Sequence, residues 1–260
     1  MNIVVCVKQV PDTTAKKELG PDFVLIRQGV DSVINPFDEY AIEEALRLKE
    51  SQGGDVTIVT MGPPTAEDSI RKALAMGADR GVLVSDPALR GTDWLGTARV
   101  LARAIGTTEA DLVVTGTEST EARDGMMSGA LAELLDLPLL SYVMQLEVDE
   151  SNVRVRRQIA GGYQVAEAQL PAVVSVVKGA NEPRYPSLKG IMGAKRKEIQ
   201  NLSLADLGVN PSDVGLQGAA TQVLGATARP ERVAGEVMRP DSPEDAAIAI
   251  ADFLQAGKFI

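Results

Sequence analysis

Four short apolar runs constrain this chain more than any other feature. Residues 2–7, 55–61, 82–85 and 111–115 are rich in Val, Ile and Leu with little polar alternation. That is the pattern of strands buried on both faces. A helical pattern follows each run. Residues 39–51 place Ala41, Ile42, Ala45, Leu46 and Leu48 on one face and end at Gly53-Gly54. Thr65 reads as the cap of a helix to Met76, with Glu67 and Asp68 in its first turn. Residues 93–105 form a third helix, and the polar stretch 116–129 opens a fourth that runs to about 135. This alternation predicts an α/β domain with a doubly wound, mostly parallel sheet and right-handed crossovers. Aromatic residues make up only 3 % of the chain, so Ala, Val, Leu and Ile must fill the core.

The rhythm then changes. Residues 140–148, 153–159, 163–168 and 172–177 read as strands, with turns at 149–152 and Gly161-Gly162. They are expected as antiparallel additions to the sheet. Earlier in the chain, residues 8–12 read as a loop and 23–26 as a short strand in a local hairpin. From Leu207 to Asp241 no run stays periodic, and Gly, Pro, Ala and Ser are frequent. A stretch of that length is expected to be an extended arm that orders on another surface. Ser242-Pro243 then starts a final helix. The expected division is an α/β domain over 1–200 and a C-terminal arm and helix over 201–260.

The stretch 181–199 runs against its background. The chain carries a net charge of −10, yet this segment holds Arg184, Lys189, Lys195, Arg196 and Lys197 against Glu182 and Glu198. Pro183 and Pro186 prevent a strand from continuing through it. Ser187 is a suitable N-cap, and Leu188, Ile191 and Met192 recur at helical spacing. Spacing alone allows two readings: a connector whose apolar stripe packs on its own core, or a docking element with Leu188 as its anchor.

Composition excludes several chemistries. The chain has no histidine and one cysteine, Cys6. A Ser-His-Asp triad, an imidazole base, and a zinc or iron–sulfur site held by this chain alone are therefore ruled out. The lone cysteine fits a reducing cytoplasm. The acidic balance argues against nucleic-acid binding. No apolar run reaches 18 residues, so membrane insertion is not expected. Met1-Asn2-Ile3 leads straight into a strand, and no leader peptide is expected.

In a parallel α/β sheet, ligands lie beyond the carboxyl ends of the strands, where strand order reverses. The loops there are Lys8-Gln9-Val10, 35–38, 61–64 and 116–129. The last is the phosphate candidate, because it follows a strand and opens a helix whose free N–H groups face the ligand. Ser119, Thr120 and Ser128 offer hydroxyls there, and Arg123 offers charge. No Gly-x-Gly-x-x-Gly or Walker A loop is present.

Several stretches together resemble the electron transfer flavoprotein β subunit. They are Val-Lys-Gln-Val-Pro-Asp from Val7, Asn-Pro-Phe-Asp-Glu from Asn35, Arg-Lys-Ala-Leu-Ala-Met-Gly-Ala-Asp-Arg from Arg71, Leu-Pro-Ala-Val-Val from Leu170 and Asn-Glu-Pro-Arg-Tyr from Asn181. The resemblance implies a Rossmann-like fold of the adenine-nucleotide-binding type. It also implies an electron carrier with no catalytic residue of its own. AMP would be bound in this chain, and FAD would be shared with an α subunit and held mainly there.

The site residues it implies are Cys6, Asn35, Pro36, Phe37, Asp38, Met61, Gly116, Ser119, Thr120, Arg123, Asp124, Gly125, Met126, Met127 and Ser128. Docking is expected at Leu188, Ile191, Met192, Arg184 and Lys189. The partners implied are acyl-CoA and other flavoprotein dehydrogenases and a quinone oxidoreductase. Two features depart from the family pattern. The side chains of 118–129 differ although the length fits, and Gln158 and Ala160 stand where acidic residues are usual. The alternatives are a stand-alone adenine-nucleotide-binding module of stress-protein type and an electron-bifurcating variant with a second FAD.

Overall fold

Alternate residues of the first strand face opposite layers, and this organises the domain. The computed structural model describes residues 1–149, 151–227, 235 and 237–260. In chain order, β1 (Asn2–Cys6) precedes a small antiparallel pair, β2 (Gln9–Pro11) and β3 (Ser32–Ile34). There follow α1 (Pro36–Gln52), β4 (Asp55–Met61), α2 (Glu67–Met76), β5 (Arg80–Val84), α3 (Trp94–Ile105), β6 (Leu112–Gly116) and α4 (Met127–Leu135). Then come β7 (Leu139–Val148), β8 (Asn152–Ile159), β9 (Gly162–Gln169) and β10 (Ala172–Val176). The last elements are α5 (Leu188–Ala194), β11 (Ile199–Leu202), the single turn α6 (Gly215–Gly218) and α7 (Pro243–Ala256).

Among the described residues the main sheet has nine strands in the order β11-β5-β4-β1-β6-β10-β7-β8-β9. Ile3 and Val5 of β1 join one core layer with Ile42 and Leu46 of α1 and Ile70 and Leu74 of α2. Val4 and Cys6 join the other, with Val100 and Leu101 of α3 and Leu131 of α4. This is the period-two alternation of a strand covered on both faces. The doubly wound expectation is met. The chain first builds outward from β1 through β4 and β5, then crosses to β6 on β1's other side. The switch point therefore lies between β1 and β6.

Several local expectations need correction. β7 and β10 are parallel members of the sheet, with β10 inserted between β6 and β7; the antiparallel pairings are β7–β8 and β8–β9, so β8 alone runs against the other strands. The short link Leu170-Pro171 suggests a hairpin in sequence, but it carries the chain forward from β9 into β10 without reversing it. Residues 23–26 form no strand and make a single bridge, Leu19 to Leu25. The real short ladder is β2–β3, and β2 lies within the stretch read as a loop. Thr65 does not cap α2. It lies in a 3₁₀ turn, Pro64–Ala66, and its hydroxyl faces Gln9 Oε1 at 3.4 Å. The edge strand β11 had no clear signal in the sequence.

The chain divides into two units, Met1–Val223 and Leu224–Ile260. Residues just after 206 belong to the first: Leu207 and Val214 are buried in the α3–α4 layer, and Thr221 N donates to Asp93 Oδ2 at 3.0 Å. The expected arm is thus packed over its first part. Some of its residues, 228–234 and 236, lie outside the described residues. In the second unit Ser242 caps α7, whose Ile248, Ile250 and Phe253 are all exposed.

Candidate functional site

Asn35 fastens the loops at the switch point. It precedes α1, with Pro36 in the first turn where a missing N–H costs nothing. Its own N–H donates to Lys8 O after β1 at 2.8 Å. Its side chain is only 1 % exposed and reaches the loop after β6. There Nδ2 donates to Glu118 O at 2.8 Å, and Oδ1 accepts from Thr120 N at 3.1 Å. One buried amide thereby satisfies two backbone groups of a loop that has no ladder of its own.

Asp38 closes the same junction. Its Oδ2 accepts from Lys8 N at 2.8 Å. A Cβ built on Gly116 would stand 2.5 Å from Asp38 Oδ1 and 2.8 Å from the carbonyl carbon of Phe37, so only glycine admits this approach of β6 to α1. Burial pushes the Asp38 carboxyl up to about 7, against the hydrogen bonds from Lys8 and Asn35 that favour the anion. Burial, and then the charge of Asp38, push the Cys6 thiol up to about 12. Cys6 is therefore a packing group at the end of β1 and not a nucleophile.

The loop after β6 has two halves. Residues 118–121 are held. Besides Asn35, Lys17 Nζ donates to Thr120 O at 3.0 Å, and Glu121 pairs with Lys8 Nζ at 2.6 Å and Arg27 at 2.7 Å. Burial alone would raise the Glu121 carboxyl, but the charges and hydrogen bonds of Lys8 and Arg27 outweigh it and hold it below the usual range. The second half is open. Arg123, Asp124 and Met126 are exposed, and Arg123 and Gly125 adopt left-handed φ values of 54° and 63°. α4 begins without a side-chain cap, so its first-turn N–H groups remain available. Thr120 Oγ1 in the loop, Thr115 Oγ1 near the end of β6 and Thr60 Oγ1 near the end of β4 are buried without a partner among the described residues.

The expected site residues thus fall into groups. Asn35, Asp38, Gly116 and Thr120 converge at the switch point. Pro36, Phe37 and Met61 are half-buried beside it, and Ser128 is buried in the first turn of α4. Ser119 caps the turn, its Oγ accepting from Ala122 N at 3.2 Å. Arg123, Asp124, Gly125, Met126 and Met127 form the open half and its passage into α4. Sequence reading missed Lys8 and Gln9 as side chains, together with Lys17, Arg27 and Glu121. Nothing local marks Arg27 as a partner of Glu121, because 94 residues separate them.

A second surface is built by residues 181–197. Ser187 caps α5, its Oγ accepting from Gly190 N at 3.0 Å. Leu188 is 83 % exposed and Met192 74 %, with Ile191 and Lys189 also exposed. The reading in which this stripe packs on its own core is overturned. The segment is nevertheless firmly mounted. Asn181 Nδ2 donates to Tyr40 O at 3.0 Å and to Glu44 Oε2 at 2.9 Å. Arg184 turns inward, its Nε 2.8 Å from Glu43 Oε2, and also pairs with Glu50. A Cβ on Gly190 would stand 2.2 Å from Ala75 O, so α5 rests directly on α2. Arg71 donates to Ala194 O at 2.9 Å and Lys197 O at 2.8 Å. Arg184 thus contributes to this surface by fixing it from beneath.

The Asp38 geometry has a pH consequence. Its carboxyl holds a proton in the folded chain up to about pH 7, while its ordinary value is 3.8. The stability it contributes is fully present below the unfolded value and is lost as pH rises towards 7, by about 1.4 kcal/mol per unit at most. Asp38→Asn keeps an acceptor for Lys8 N and removes the titration. Between pH 5 and pH 7.5, denaturant melts should show the variant gaining about 2 kcal/mol on the parent. Parallel curves would show that Asp38 does not titrate in this range.

The comparisons with known proteins agree with this geometry. The family model described as "Electron transfer flavoprotein domain" matches residues 22–207. The chain is 42 % identical over 266 aligned positions to the "Electron transfer flavoprotein subunit beta" of Mycobacterium leprae, covering 100 % of this chain and 99 % of that one. It is 40 % identical to the protein of that name from Thermoanaerobacterium thermosaccharolyticum, covering 91 % of this chain and 92 % of that one. It is also 37 % identical to the "Caffeyl-CoA reductase-Etf complex subunit CarD" of Acetobacterium woodii, with 98 % of each chain covered. With a strand order that reverses between β1 and β6, a loop fastened there by Asn35, and similarity over its whole length, this chain belongs to the electron transfer flavoprotein family.

Proposed function

We propose that this chain is the β-type subunit of a heterodimeric electron transfer flavoprotein that collects electrons from acyl-CoA and other flavoprotein dehydrogenases. The observation that carries this reading is Leu188, a large apolar side chain 83 % exposed on a helix fixed at several points. An exposed leucine on a mobile loop would mean little. On a mounted helix, flanked by exposed Met192, Ile191 and Lys189, it has the form of a preorganised anchor. Electrons would then pass to the quinone pool through a quinone oxidoreductase.

The nucleotide site fits AMP by its chemistry. A monophosphate would meet the uncapped first turn of α4 and the orphan Thr120 hydroxyl. An adenosine would lie towards Cys6, Met61 and the 35–38 segment. FAD, shared with an α subunit and mainly held there, supplies the redox chemistry when bound. This chain would orient the partner and hold the nucleotide as a structural group. The exposed apolar side chains of α7, Ile248, Ile250 and Phe253, suit a role in covering that subunit.

Docking is tested by Leu188→Ala. An anchor in a packed interface contributes about 2 kcal/mol or more, near thirtyfold in affinity, whereas a buried leucine contributes about 2–5 kcal/mol to stability. Electron transfer from an acyl-CoA dehydrogenase should fall about tenfold or more, with melting temperature and flavin content nearly unchanged. A large fall in melting temperature, or unchanged transfer from every dehydrogenase tried, would contradict the docking role.

The relative that belongs to a Caffeyl-CoA reductase-Etf complex supports a second reading, an electron-bifurcating subunit with FAD in the nucleotide site. Mass spectrometry of ligands released from the purified heterodimer separates the two. AMP and FAD in about equal amounts are expected; two FAD and no AMP would favour the bifurcating reading.

A further inference from the structure

The loop after β6 presents a contradiction for an anion site. It carries Glu118, Glu121 and Asp124 against one cation, Arg123. A bare carboxylate in such a loop repels phosphate. Glu121 escapes this, because its side chain is only 11 % exposed and faces Lys8 and Arg27. Arg27 Nη2 donates to both of its oxygens, at 2.7 and 2.8 Å. The cluster of one carboxylate and two cations carries a net positive charge. It also joins three separate stretches: the end of β1, the 12–31 excursion and the loop itself.

We propose that Glu121, Lys8 and Arg27 form an ionic latch that sets the shape of the β6–α4 loop before the nucleotide arrives and slows the nucleotide's release. The inference rests on the nucleotide-binding reading above. Glu121 is a positioning residue that acts through the loop backbone. It ends the held half, 118–121, so the open half, 122–126, starts from a fixed point. With that point fixed, the left-handed residues Arg123 and Gly125 bring the chain round to the uncapped start of α4 in one defined path. Without it, the open half must order itself around each incoming ligand.

The test uses the intact heterodimer carrying Glu121→Gln. This variant keeps both cations, so simple attraction to phosphate would rise and AMP would leave more slowly. The latch predicts the opposite: AMP release about fivefold faster or more, with Glu121→Asp restoring most of the parent rate. Trypsin supplies an arm that does not depend on nucleotide. Cleavage after exposed Arg123 should be slow in the parent and several-fold faster in Glu121→Gln. Slower or unchanged AMP release, or equal cleavage at Arg123, would overturn the latch. A parent heterodimer that releases no AMP but shows the cleavage difference would defeat the nucleotide reading and leave the latch standing as an ordering device.

Discussion

The side chain of Asn35 is the contact on which the site depends. A loop between a strand and a helix has no ladder to satisfy its backbone, and burying such groups unpaired costs about 1–3 kcal/mol each. Asn35 supplies both a donor and an acceptor to the loop after β6 and ties its own backbone to the loop after β1. The glycine at 116 lets α1 come close enough for this, and Asp38 then locks the first loop from the other side. The first half of the loop after β6, 118–121, is thereby held, and the open half leads from it to the uncapped start of α4.

The same helix serves the second surface. α1 starts at the switch-point loops, and its Glu43 and Glu50 hold Arg184. Glu43 is buried, its side chain 7 % exposed, and a carboxylate there requires a cation. Arg184 therefore answers a constraint set within α1 while fixing the segment that displays Leu188. The mount on α2 is steric: Gly190 sits against Ala75, and the terminal carbonyls of α5 are met by Arg71. Rigidity beneath and apolar exposure above lower the ordering cost of an encounter.

The layered fold was legible because β1, β4, β5 and β6 are buried over nearly all their length and read as apolar runs. The sense of β10 was not, because a two-residue link carries no mark of whether the chain reverses. β11 escaped because its edge position leaves Gln200 and Asn201 exposed, which removes the apolar signal. In the site, Asn35 and the glycine at 116 were recognisable from their local sequence. The Lys8–Glu121–Arg27 cluster was not, since ion pairs between distant loops leave no periodicity. Leu188 shows the limit of spacing itself: a helical stripe looks the same whether it faces a core or solvent, and only the packing of α5 on α2 shows that this one faces outward.

The central claim is that Asn35 holds the loop after β6, and the amide of Thr120 reports on it directly. Hydrogen exchange should be followed across residues 117–126 in the parent heterodimer and in Asn35→Ala. Exchange at Thr120 should rise about tenfold or more in the variant, while the amides of β6 and α5 keep their protection. Unchanged protection at Thr120 would show that the loop is held by something other than Asn35, and the account of the site would fail.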